Sequence, residues 1–350
     1  MKNSVARIRQ KGIGSMFEHP GTSLKNNIPP KIISLPKNNH LFYTGRHALK
    51  FVIDSIAKKQ NPGTIWLPEY YCQHVTGWMK RNYNNIKVYK TDPKNKVFLN
   101  TGFTKKNDIL IINNFWGVYT AKLQHDTSSL TVIEDHSHGW LSPHCLNSSA
   151  DYCIASLRKS VPVPLGGIAW RPDGQKMDDL KAVENSLFSE LWEMILEAQH
   201  LKSRYINAHE PLKEEKQKFL ELVSRAETLM NGNHDLFKLE EAHKGLIKKY
   251  AAVNYLSYKV ENLSYLKSLL NVNNSFKLVA PHDTSFGLTL FVKSEKEMLT
   301  LRTYLVGHDI YPSLLWPDNN PTYGYYLNIH LDYRYGSDEM EYIAEKLNTF

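Results

Sequence analysis

Leu130-Thr131-Val132-Ile133-Glu134-Asp135-His136-Ser137-His138-Gly139 begins as an unbroken apolar run and stops on two carboxylates and two histidines. A run without polar alternation suits a strand buried on both faces, as in the centre of a parallel sheet. Upstream, residues 108–113 (DILIIN) have the same character. Residues 64–67 and 86–89 are shorter apolar strands, and residues 48–58 and 71–81 carry helical periodicity between them. Downstream, residues 152–157 and 167–170 are further strand candidates. Strands alternating with helices predict an α/β fold with a mostly parallel central sheet flanked by helices.

From Asp178 the pattern changes. Leu180, Val183, Leu187, Leu191, Ile195, Ala198 and Leu201 recur at helical spacing and predict one long amphipathic helix. Helices are expected at about 212–230 and, with a break, at 237–270. A strand at 286–292, a helix at 295–306, a strand at 327–331 and a helix at 338–347 close the chain. The expected organisation is a basic N-terminal arm (1–40), a large α/β domain with a helical extension (41–245) and a small C-terminal α+β domain (246–350).

The 350 residues are 42% hydrophobic and 22% charged, which excludes a fully disordered chain. The longest apolar runs are a few residues, too short to span a membrane, and no apolar signal region follows the basic start. Cys72, Cys145 and Cys153 are sparse and irregular, with no spacing for structural zinc, so reduced thiols in a cytoplasmic protein are expected and no metal. The formal charge of +8 is concentrated. Lys2, Arg7, Arg9, Lys11, Lys25, Lys31 and Lys37 stand against Glu18 alone in residues 1–40. With no nucleic-acid-binding motif beside it, this excess is expected to belong to a solvated arm or one lying on a partner subunit.

In an open parallel sheet, ligands gather at the carboxyl ends of the strands. Three features fall there. Thr44-Gly45-Arg46-His47 opens a helix, whose free N–H groups can receive a phosphate. Asp135, at a strand end beside His136 and His138, can bind metal, act as a base or pair with a protonated ring nitrogen. Lys159 follows Asp135 by 24 residues, one strand later, where partial desolvation and Arg158 would make it a usable nucleophile. Amine, anion and helix start together are what pyridoxal phosphate requires. Tyr70 or Tyr71, after the strand at 64–67, can lie over its ring.

These segments resemble the DegT/DnrJ/EryC1/StrS sugar aminotransferase family of fold-type I enzymes, and the chain reads as a divergent member. Residues 44–49 are similar to the family's Ser-Gly-Thr-x-Ala-Leu phosphate turn, and Trp66 to Tyr71 to its Val-Pro-x-Phe/Tyr loop. Asn114-Phe115-Trp116-Gly117 resembles its hydrophobic-Tyr-Gly turn, and 132–138 its Val-Ile-Glu-Asp-Ala-Ala-Gln/His motif. Lys159 stands seven residues before Gly166-Gly167, which is the family's lysine spacing. The resemblance implies a fold-type I, aspartate aminotransferase-like fold and a cofactor, pyridoxal 5′-phosphate. Lys159 would carry the Schiff base and shuttle a proton, and Asp135 would keep the pyridine nitrogen protonated. His138 would lie near the ring hydroxyl, and Gly45, Arg46 and His47 would face the phosphate with Ser156. Ile154 stands where the family has its phosphate serine, and the family's Gly-Tyr-Asn-x-Arg-Met segment is missing. Trp116 and Arg334 are the substrate-binding candidates; Arg334 either grips a carboxylate bidentately or pairs with Asp332 or Asp338.

The function so implied is transfer of an amino group from a small-molecule donor, glutamate or glutamine, to a keto acceptor, a nucleotide-linked sugar of polysaccharide or secondary-metabolite synthesis. A homodimer without nucleic acid or membrane span is expected. Lysine rather than histidine at position 159 favours transamination over dehydration. The alternatives are decarboxylation, lyase or acyl-transfer chemistry on the same cofactor, or a non-catalytic binding protein of this fold.

Overall fold

The computed structural model describes residues 8, 11–19, 31–93, 98–118, 122–124, 129–208, 212–271, 275–279, 286–316 and 320–350. Lys2, Arg7, Arg9 and Lys25 of the basic arm lie outside the described residues. The chain divides into two compact units, one of residues 31–193 and 227–254, the other of 194–226, 255–350 and the described part of 1–30.

The first unit is built from β1 (His40–Phe42), α1 (Gly45–Lys59), β2 (Ile65–Pro68), α2 (Gln73–Asn82), β3 (Ile86–Tyr89), β4 (Phe98–Leu99), β5 (Ile109–Asn113), β6 (Lys122–Leu123), β7 (Thr131–Asp135), α3 (Pro143–Leu146), β8 (Tyr152–Ser156) and β9 (Gly167–Trp170). One sheet runs β3-β2-β5-β7-β8-β9-β1. Strands β3, β2, β5, β7 and β8 are parallel, while β9 is antiparallel to β8 and to β1. Short β4 and β6 pair separately in parallel. The unbroken apolar runs are explained by burial on both faces. Ile109, Ile111, Ile133 and Ile154 face α1, whose Leu49, Val52, Ile53 and Ile56 form its apolar stripe. Leu110, Ile112 and Val132 point the other way, toward Tyr89 and Leu99. Each such side chain contributes about 1.5–3 kcal/mol on burial.

Helix α1 starts where it does because Thr44 Oγ1 accepts the His47 N–H at 3.1 Å. Its start is wedged against the sheet. A Cβ on Gly167 would stand 2.1 Å from the Thr44 carbonyl oxygen, and one on Gly45 would stand 2.9 Å from Ser156 Cβ. Neither site has room for a side chain, so these glycines set how closely α1 meets β8 and β9.

The predicted helix from 178 onward begins later, as α4 (Leu187–Asn207). Asn185 Oδ1 accepts the Leu187 N–H, a turn-starting bond that the apolar spacing does not report. Leu180 packs on the sheet core, and Val183 bridges Phe237 in parallel. That bridge also removes Phe237 from the predicted 237–270 helix, which is α6 (Glu241–Ala251) and α7 (Tyr255–Leu269). Between them Asn254 donates its N–H to the Lys31 carbonyl, and Val253 bridges Ile32. The remaining helix of this region is α5 (Lys213–Asn231).

In the second unit, β10 (Lys277–Leu278), β11 (Leu288–Val292), β12 (Ser313–Leu314) and β13 (Tyr325–Ile329) form an antiparallel sheet in the order β10-β11-β13-β12. Its core includes residues of α7, α8 (Glu295–Gly307) and α10 (Ser337–Thr349); α9 (Asn320–Tyr323) is a single turn. The arm departs from its expected character. Ile8, Ile13 and Phe17 are buried, and Ile13 bridges Ile310. Ile8 and Ile13 join the core of this unit, a contact that the basic character of the segment does not announce.

Candidate active site

Asp135 ends β7, in register with Asn113 of β5 and Ile154 of β8. It faces the α1 side, as Ile133 does, and is buried. Its Oδ1 accepts the Ser137 N–H at 2.8 Å, and its Oδ2 accepts the phenol O–H of Tyr71. Burial first, then the Asp135 charge, push the Tyr71 phenol well above its ordinary range, so it stays protonated and donating. Between the two tyrosines left open by sequence, Tyr71 is the one at the carboxylate. Tyr70 packs with Phe115 and Trp116, at ring distances of 6.1 and 6.4 Å.

Lys159 closes the short turn Leu157–Lys159 that follows β8, half-buried. Its Nζ lies 3.2 Å from His138 Nε2, in the turn after β7. Ser156 N–H donates to Ser137 Oγ at 2.8 Å and ties these two turns together. Ser156 in turn lies against Gly45 at the start of α1. The fold therefore gathers Asp135, His138, Ser156, Lys159, Tyr71 and Gly45 at the carboxyl edge of β7 and β8, as strand ends and a helix start require.

The helix start is cationic. Arg46 donates to Asn231 Oδ1 at 2.8 Å, and Arg158 forks onto Glu227 at 2.5 and 3.3 Å. Arg46 feels the Arg158 charge, with Glu227 the carboxylate beside both. His47 does not share this setting. Its ring packs edge-on to Phe188, with centroids 4.5 Å apart, and burial lowers its pKa to about 3. It meets the cap through its backbone N–H instead.

Trp116 is buried and sits at φ +53, between Asn114 and Gly117. A left-handed tryptophan stores strain of about 1–2 kcal/mol, a feature that clusters at working sites. Arg334 belongs to the other unit. It forks onto Asp332 at 2.6 and 2.7 Å, donates to the carbonyls of Gly14 and Met16, and lies 3.6 Å from Glu18. Its guanidinium clasps the arm.

Sequence reading missed Ser137, Asn231 and Glu227. Glu227 has the look of a solvated helix charge, and nothing local signals a partner 69 residues away. Ser137 was inside the quoted stretch; only the β7–β8 register makes it a strand-end clamp.

No protein-family model and no curated protein matches the sequence. Solved structures do. Sugar aminotransferase CalS13 from Micromonospora echinospora superposes with a TM-score of 0.52 at 13% identity, over 89% of this chain and 87% of that one. AtS13 from Actinomadura melliaura gives 0.51 at 12% identity, over 89% and 86%. The fold is that of the fold-type I pyridoxal phosphate enzymes.

Proposed function

We propose that the α/β unit holds pyridoxal phosphate and that the chain is an aminotransferase. The observation that carries this reading is the convergence of Lys159, Asp135 and the start of α1 at one sheet edge. The residues suit the group: Gly45 brings the bare backbone of the helix start against Ser156 where a Cβ would not fit, two arginines stand at the helix start, and Asp135 is a buried carboxylate. When bound, the cofactor supplies an electron sink for charge developing at the substrate carbon. Gly45, Arg46 and Ser156 would hold the phosphate, aided by the helix dipole. Asp135 would hold a proton at the pyridine nitrogen, and Tyr71 and Ser137 fix the carboxylate. Lys159 Nζ would bond to the cofactor and move the proton at the substrate carbon. His138, in reach of that amine, orients it. The donor would be glutamate or glutamine, and the acceptor the keto group of a nucleotide-linked sugar. A homodimer is the expected working form. Among the described residues no helix is long and apolar enough to cross a membrane.

The test is direct. Purified protein should be yellow, and borohydride should attach the cofactor irreversibly to Lys159, read by peptide mass. Lys159→Arg should lose both signals. A colourless protein that takes up no added cofactor refutes the proposal. A yellow protein that gives no pyridoxamine phosphate with any amino acid donor keeps the cofactor and removes transamination.

A further inference from the structure

The sheet has a second polar cluster, on the face away from Asp135. His136 N–H donates to the Ile154 carbonyl at 2.8 Å, continuing the β7 ladder past Asp135. Side chains therefore alternate: Asp135 and Ser137 serve the candidate active site, while Glu134 and His136 turn to the opposite face. There the register sets Cys153 of β8 directly beside Glu134. One oxygen of Glu134, one nitrogen of His136 and the sulfur of Cys153 all lie within 4.8 Å of one another, and all three residues are buried.

The chemistry of these donors is a ligand set. Tetrahedral zinc takes carboxylate, imidazole and thiolate at about 2.0–2.3 Å, which places donor atoms roughly 3.5 Å apart. Small side-chain rotations bring the three atoms to that spacing. His136 Nε2 is buried and 3.2 Å from Glu134 Oε2, without the alignment of a hydrogen bond. On its other side, Nδ1 lies 2.9 Å from Asn114 Nδ2, while Asn114 Oδ1 is buried without a hydrogen bond, an arrangement that exchange of the amide's oxygen and nitrogen satisfies. With the amide oxygen turned to the ring, Nδ1–H donates to it and Nε2 presents a lone pair to Glu134 and Cys153, the tautomer that metal-binding histidines adopt. Ser148 Oγ reaches both Glu134 Oε2 at 2.5 Å and Cys153 Sγ at 3.1 Å, marking the fourth corner. A cavity of about 400 Å³ lined by Trp140, Cys145, Ser148 and Trp170 reaches the Ser148 that touches Glu134 and Cys153.

We infer that Glu134, His136 and Cys153 form a structural site for a divalent transition metal, zinc in kind. The charges balance. Glu134 contributes one negative charge and Cys153, on losing its thiol proton to solvent, a second; His136 stays neutral, and the dication cancels both. The metal would brace the strand end that carries Asp135 and His138. This inference does not depend on the proposed cofactor.

The experiment uses the full chain expressed in zinc-replete medium. Metal analysis should find about one zinc per chain. Protein stripped with chelator and given cobalt(II) should show tetrahedral visible bands and a near-ultraviolet thiolate-to-cobalt band, with about one proton released per metal. Cys153→Ser should lose the thiolate band, and His136→Ala should weaken binding at least 10-fold. Cys72→Ser, which alters the remaining cysteine, should change nothing. Wild-type protein that binds neither metal overturns the inference without any variant. So does a thiolate band that survives in Cys153→Ser or disappears in Cys72→Ser.

Discussion

Replacing Tyr71 with phenylalanine removes one oxygen and tests how the candidate site is held. The Tyr71 hydroxyl is fully buried and donates to Asp135 Oδ2, while Oδ1 is held by Ser137 N–H. A hydrogen bond to a charged group contributes about 1.5–3 kcal/mol, and the carboxylate left behind is buried. The ring itself keeps its packing among Ile65, Leu67 and Trp78. Tyr71→Phe should therefore destabilise the cofactor-free protein by about 2 kcal/mol. The assay is urea unfolding followed by circular dichroism and tryptophan fluorescence, run without and with pyridoxal phosphate. With cofactor the loss should shrink, because a protonated pyridine nitrogen gives Asp135 a replacement donor. A loss below about 0.5 kcal/mol without cofactor would refute the Tyr71–Asp135 bond as a stabilising contact. An equal loss in both conditions would refute the role of Asp135 at the ring.

Arg334→Met should cost about 3–5 kcal/mol by leaving Asp332 buried without its forked cation and Glu18 with Lys202 alone, and limited proteolysis should then cut within residues 11–19; protection equal to wild type would sink the clasp. His47 offers a pH test. Burial lowers its folded pKa to about 3 against an ordinary 6.5, so the unfolded chain binds more protons between these values. Its share of stability is complete above about pH 6.5 and falls as pH drops, by about 2 kcal/mol at pH 5. His47→Leu should flatten the stability profile between pH 7 and 5 by about that amount, and an unchanged slope would remove His47 from the account.

Much of the first unit was legible because its signals are local. Strands β3 and β9 lie on the residues their apolar runs marked, β5 and β8 differ by a residue at one end, and β7 is shifted by one residue at each end from 130–134. The positions of Asp135 and Lys159, at and just past strand ends, were legible because a strand end is visible in sequence as the point where an apolar run stops. Helix starts were less legible. The apolar period carried the predicted helix back to 178, but the Asn185 turn and the Val183–Phe237 bridge outweigh periodicity. Strand β1, at the end of the expected basic arm, is three residues long and gains its place by pairing with β9.

The sequence by itself determined strands β2, β3, β5, β7, β8 and β9 and helices α1 and α2 of the α/β half, to within a few residues, and that an amine, a carboxylate and a helix start would stand at strand ends. Backbone period and the limits of apolar runs are properties of neighbouring residues, so they survive without a fold. Tertiary structure alone decided that Tyr71 rather than Tyr70 meets Asp135, across 64 residues of chain. It also committed Arg334 to the arm, buried Ile8, Ile13 and Phe17 of that arm, and set Glu134 beside Cys153 with their backs to Asp135. Those outcomes depend on sheet register and on which buried polar group finds a partner, and no local pattern encodes either.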